Sequence, residues 1–272
     1  MPTFTNQVVV ITGAGRGIGL ATASQFAAAG AIVVIGDLDD DVAAKAALQI
    51  GGRAVGYVVD VADRESYAAF IAFAEQQGPI DILVNNAGIM PLSPLVDETD
   101  AMTDRIIDIN LRGVITGTKL VAPGMIARRS GHIINVASAV GRIAVANGAT
   151  YSASKYAVVG FSEAMQSELA PDGVSVSCIL PTVVNTELAA GVSATKGMRA
   201  VQPGEVAAAV VSVAAKPRFE TWVPAWSKGL FYATNALPRR LRDTASHLVG
   251  ADEALRSIDV EARQEYERRA SS

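Results

Sequence analysis

Hydrophobic positions along the chain follow two alternating rhythms. Short, nearly continuous apolar runs rich in Val and Ile recur at 7–12 (QVVVIT), 31–36, 54–59, 80–85, 132–137 and 174–180. Between them lie longer stretches of helical period, through 29 and at about 40–50, 64–77, 98–129 and 150–170. Apolar runs of this kind, separated by helices of ten or more residues, predict a parallel sheet covered on both faces. Right-handed crossovers wind such a chain into an open, doubly wound α/β sheet. A further short strand near 221–223 brings the expected sheet to about seven strands. The pattern predicts one Rossmann-type domain over 1–225 and a helical extension over 226–272. The tail after Lys216 holds Trp222 and Trp226 in an aromatic stretch with Phe231 and Tyr232, and a mixed-charge helical pattern over 239–269.

Composition narrows the class. The 272 residues are 50% hydrophobic and 18% charged, enough for one large core without disulfide or metal staples. Cys178 is the only cysteine, which excludes an intrachain disulfide and suits a reducing compartment, so a cytoplasmic protein is expected. A net charge of −4 argues against a nucleic-acid partner. The start, MPTFTNQ, has no basic region before an apolar stretch and is not expected to be a secretory signal. No apolar run approaches the roughly 20 residues that span a bilayer. Pro224 and Pro238 interrupt the basic-aromatic tail, so membrane contact is not expected there. His132 and His247 stand apart from every motif and read as structural; no metal is assigned.

The chemistry begins after the first strand. Thr12-Gly13-Ala14-Gly15-Arg16-Gly17-Ile18-Gly19 joins a strand to a helix, where glycines let a pyrophosphate approach exposed amides at the helix N-terminus. Asp37 ends the next strand. Its carboxylate can accept from both hydroxyls of an adenosine ribose and would repel a 2′-phosphate. Arg16 pulls the other way, since a cation in the loop could receive that phosphate. The carboxylate occupies the phosphate's place, so NAD is the expected cofactor.

The spacing of this glycine loop resembles the short-chain dehydrogenase/reductase family. Asn85-Asn86-Ala87-Gly88, Asn110, Ser138 and Tyr151-Ser152-Ala153-Ser154-Lys155 follow in that family's order, and the resemblance spans about residues 6–225. It implies that Asp60 and Val61 lie beside the adenine. Asn86, Ala87 and Gly88 would border the cofactor while tying strands together. Pro181, Val184 and Thr186 would cradle the nicotinamide, with Thr182 standing where the family usually has glycine. The resemblance also implies homodimers or homotetramers, built by pairing the helices near 98–129 and 150–170. The faces carrying Ile107, Leu111, Val114 and Leu120, and Ala157, Phe161 and Met165, must therefore be buried against the sheet or a partner.

The expected catalytic set is Asn110, Ser138, Tyr151 and Lys155. Alcohol oxidation needs a group that takes the hydroxyl proton as hydride leaves carbon, and a free phenol titrates too high for that near neutrality. Lys155 follows Tyr151 by four residues and shares its helix face. An ammonium there, with the positive charge of an oxidised nicotinamide, is expected to lower the phenol pKa. Ser138 would hold the substrate oxygen against Tyr151. The resemblance makes Lys155 a ligand of the nicotinamide ribose as well. It also makes Asn110 the residue whose helix distortion holds a proton-relaying water.

Segments expected around the substrate, with Met90, Val140, Ile143 and Val183 as lining positions, are largely apolar. They favour an alcohol or ketone with a sizeable hydrophobic body over a sugar or polyol. Residues 187–197 lack a strong period and suit a mobile lid. The expected activity is interconversion of a hydrophobic secondary alcohol and its ketone. An NADPH-dependent 3-oxoacyl thioester reductase and a non-catalytic dinucleotide sensor or scaffold are the alternatives.

Overall fold

The computed structural model describes residues 2–191, 199–236, 238 and 260–271. Seven parallel strands form one sheet: β1 Val8–Thr12, β2 Ile32–Asp37, β3 Ala54–Val58, β4 Ile80–Asn85, β5 Gly131–Val136, β6 Val174–Pro181 and β7 Glu220–Val223. Their spatial order is β3-β2-β1-β4-β5-β6-β7. This is the doubly wound single domain expected from the hydrophobic rhythm.

Alternation along each strand divides the core into two layers. Val9 and Ile11 of β1 face a layer built with helices α1 (Gly17–Ala28), α2 (Asp40–Ile50) and α7 (Pro203–Ala215), through Phe26, Ala43 and Val210. Val8 and Val10 face the other layer, with α3 (Arg64–Glu75), α5 (Gly113–Ala127) and α6 (Ala149–Leu169), through Phe70, Met125 and Leu169. Strands buried on both faces need no polar alternation, which is why the runs look continuously apolar. The order reverses between β1 and β4, and ligands of such sheets bind outside the strand ends at that switch point.

Two features differ from the elements expected of the sequence. The long helix expected over 98–129 is broken into α4 (Asp100–Ile107), a π-helical turn at Asp108–Arg112 and α5. The sequence reading did not contain α7. Pro203 at its first position and the capping box between Gln202 and Glu205 were the available signals. In the tail, α8 spans Trp226–Asn235 and α9 spans Val260–Ser271; the helical pattern expected at 239–259, with His247, lies outside the described residues. So do residues 192–197 of the expected lid.

Trp222 stacks on Phe231 at 5.2 Å, which seats α8 against β7. Val114 is buried, whereas Ile107, Leu111, Leu120, Ala157, Phe161 and Met165 are half-buried. Among the described residues no helix is long and apolar enough to cross a membrane.

Candidate active site

Loops at the carboxyl ends of β1, β2, β4, β5 and β6 carry the motif residues. The glycine loop closes tightly against its neighbours. Gly13 has φ +61°, a left-handed conformation, and a Cβ there would lie 2.8 Å from the Ala87 Cα. A Cβ on Gly19 would press on Gly13 and stand 2.7 Å from both Ala14 Cα and Asn86 Nδ2. Asn86 Nδ2 donates to the carbonyls of Thr12 and Gly13, each at 2.9 Å, and Thr12 Oγ1 accepts from the amides of Asn86 and Ala87. Asn86 and Ala87 thus tie β4 to β1, as the resemblance implied. Ile18 packs into the core, so its side chain serves the fold.

Asp37 Oδ2 accepts from the Gly15 amide at 2.9 Å, which turns the carboxylate toward the loop. Arg16 pairs with Glu187 Oε2 at 3.2 Å and is therefore engaged across the cleft. Gly17 and Thr186 face each other across that cleft, a Cβ on Gly17 lying 3.3 Å from Thr186 Cγ2. Asp60 Oδ1 accepts from the Ala62 amide at 2.9 Å, and Val61 is buried against Gly113. Val184 is buried and forms a bridge with Val201, which braces the turn after Pro181. A close-approach glycine loop, an acid at the end of β2 and a facing threonine fit an adenine dinucleotide.

The catalytic candidates converge at α6. Tyr151 and Lys155 project from one face of it, and both are buried. Ser138, in extended backbone before a short 3₁₀ turn, accepts from the Val140 amide at 3.1 Å. Its hydroxyl stands close enough to the Tyr151 phenol to pull that group's pKa down. Lys155 Nζ donates to the Val136 carbonyl at 3.1 Å and lies 5.8 Å from the Tyr151 ring centre.

Asn110 is fully buried in the π-turn. Its Oδ1 accepts from the Ile89 amide at 2.8 Å, and its Nδ2 donates to the Ile89 carbonyl at 2.9 Å and to Ser154 Oγ at 3.1 Å. The widened turn lets an amide side chain point off the helix and bridge to a neighbouring loop.

Burial dominates the electrostatics of the polypeptide at this pair. Burial pushes the Tyr151 phenol up to about 12, against the pull of Ser138 and of Arg263. The same burial pushes Lys155 down to about 8. In the polypeptide alone, desolvation outweighs the pull of Ser138 and Arg263, so the phenol is held protonated rather than poised as phenolate.

Of the expected pocket positions, Met90 is buried, Val140 and Val183 are half-buried, and Ile143 is 46% exposed, at the rim. Two site-bordering residues escaped the sequence reading: Arg263 and Tyr266 of α9, which bond the backbone of Met90. Their only signal was a shared face at 263, 266 and 270 in a mixed-charge helix, a pattern that usually marks a solvated surface.

These features define a dinucleotide-dependent oxidoreductase of the doubly wound class. A family model described as short chain dehydrogenase matches residues 7–197, and the chain belongs to the short-chain dehydrogenase/reductase family. A Streptomyces virginiae protein named as a ketoacyl reductase of the monensin polyketide synthase is 45% identical over 195 residues, 70% of this chain and 75% of that protein. A galactitol 2-dehydrogenase of Agrobacterium fabrum is 41% identical over 221 residues, 80% of this chain and 86% of that one. A short-chain dehydrogenase/reductase from Burkholderia phymatum, solved with NAD, superposes with a TM-score of 0.79 at 25% identity, covering 87% of this chain and 95% of that one. A metagenomic short-chain oxidoreductase, solved with NADP, gives 0.71 at 33% identity, covering 80% and 96%.

Proposed function

We propose that the protein interconverts a hydrophobic secondary alcohol and its ketone with NAD. The reading is carried by the convergence of Tyr151, Ser138, Lys155 and Asn110 beside a glycine loop whose Gly15 amide is bonded by Asp37. When bound, NAD or NADH supplies the hydride acceptor or donor. Tyr151 gives its phenolic proton to the carbonyl oxygen during reduction and takes the hydroxyl proton during oxidation. The burial that holds the phenol protonated favours its acid role; oxidation draws on positive charge nearby. Ser138 holds the substrate oxygen at Tyr151. Lys155 binds the nicotinamide ribose, and Asn110 maintains the turn through which protons pass to solvent.

Asp37 supports NAD, because a 2′-phosphate would meet its carboxylate and Arg16 is already paired with Glu187. Half-buried Val140 and Val183 and buried Met90 support an apolar substrate. The ketoacyl reductase relative supports a second reading, reduction of a 3-oxoacyl thioester. The half-buried apolar faces on α5 and α6 support a homodimer or homotetramer, and the single cysteine supports residence in the cytoplasm.

The test is kcat/KM with NAD and NADP over a panel of hydrophobic secondary alcohols, galactitol and a 3-oxoacyl thioester. We expect NAD with an apolar alcohol to rank first. Tyr151→Phe should abolish turnover with NADH affinity retained, and Lys155→Met should impair both. Preference for NADP, or substantial turnover in Tyr151→Phe, overturns the corresponding part of the reading.

A further inference from the structure

Arg263 is 2% exposed, a costly place for a charge unless its donors are engaged. They are. Nε donates to Glu267 Oε1 at 2.6 Å, Nη1 to the carbonyls of Leu188 at 3.1 Å and Ala190 at 3.0 Å, and Nη2 to the Met90 carbonyl. The guanidinium lies over the Tyr266 ring, 4.8 Å from its centre. Tyr266 Oη accepts from the Met90 amide at 2.6 Å.

Met90 therefore has both its peptide N–H and its carbonyl held by α9. Ile89, the residue before it, has both held by Asn110. Two consecutive residues after β4 are pinned from opposite sides, and the same guanidinium ties that loop to the one after β6. The positive charge also reaches the Tyr151 phenol and opposes the effect of burial.

We propose that Arg263 and Tyr266 are positioning residues of the dehydrogenase centre, clamping the loops at Met90 and at Leu188–Ala190 and setting a buried cation within electrostatic reach of Tyr151. The inference rests on Tyr151 as the acid/base group. Other groups facing the phenol are Ser138, Lys155 on its own helix and, on α9, Tyr266; Glu267 tempers the charge of Arg263. An arginine is required for the clamp, because a single ammonium cannot reach three carbonyls in a fixed fork.

Two measurements on the full chain test this. The first needs no substrate: hydrogen exchange of the ligand-free protein. Amides at 88–92 and 187–190 should exchange roughly tenfold faster in Arg263→Met, and the Met90 amide roughly tenfold faster in Tyr266→Phe. The second is kcat/KM against pH for oxidation of the best alcohol of the panel. Arg263→Met should displace the rising limb upward by roughly half a unit to one unit, a loss of about three- to tenfold on that limb. Arg263→Lys should restore the limb while KM stays raised. Tyr266→Phe should raise KM without moving the limb.

Unchanged exchange in both variants overturns the clamp, and a limb unmoved in Arg263→Met overturns the charge role. If Arg263→Met does not fold, Arg263→Lys and Tyr266→Phe decide, and wild-type exchange and KM in both overturn the proposal. Activity in Tyr151→Phe would instead bring down the reaction assignment, which separates the two failures.

Discussion

Removing the Asn110 side chain should uncouple the π-turn from the loop after β4. In Asn110→Ala three hydrogen bonds vanish, two to the peptide groups of Ile89 and one to Ser154. Ile89 is half-buried, so its freed N–H and carbonyl recover part of their hydration. Taking the low end of the cost of an unpaired polar group for each, and a similar amount for Ser154 and the void, gives about 2–4 kcal/mol of lost stability. Asn110→Asp is the sharper variant. Its carboxylate still accepts from the Ile89 amide but turns a negative oxygen toward the Ile89 carbonyl in a fully buried position. That variant should be at least as unstable at pH 7 and should recover as the pH falls and the acid becomes a donor. The assay is urea unfolding followed by circular dichroism, with hydrogen exchange at Ile89 as the local probe. Asn110→Ala within about 0.5 kcal/mol of wild type, with the Ile89 amide still protected, would refute the bridging role.

Two further outcomes are expected. His132 is buried with Nε2 2.8 Å from Ser177 Oγ, and burial pushes its imidazole down to about 4. An unfolded histidine titrates near 6.5, so between these values the unfolded chain binds a proton that the native chain refuses. Stability is full above about 6.5 and is lost as the pH falls toward 4, by about 3 kcal/mol in all. His132→Gln should flatten that part of the stability–pH curve; parallel curves for the two proteins would exclude it. Asp37→Ala removes the acceptor of the Gly15 amide and should weaken NAD use, but Arg16 stays paired with Glu187. We therefore expect a clear gain in NADP kcat/KM only in Asp37→Ala/Glu187→Ala, and an equal gain in the single variant would show that the Arg16 pair does not matter.

Local pattern was enough wherever a residue's role depends on its chain neighbours. Valine and isoleucine runs marked the strands because burial on both faces removes polar alternation. The glycine loop and Asp37 were legible because a tight strand-to-helix turn needs glycine within a few positions. Tyr151 and Lys155 were legible because four residues make one helical turn. The tertiary structure decided what depends on groups brought together from far along the chain. The break at Asn110 exists because Ile89 offers two peptide groups across the gap, and no helical period in 98–129 encodes that partner. In the polypeptide alone burial raises the Tyr151 pKa and lowers that of Lys155, which spacing does not encode, since desolvation is set by everything packed around them. Arg263, which reads as surface charge, becomes a buried clamp only because Met90, Leu188 and Ala190 converge on it. Sequence determined the fold and the chemical inventory because backbone preference and hydrophobic period are short-range. The protonation states and the wall of the pocket were left to the folded structure, because electrostatics and hydrogen bonding act through space.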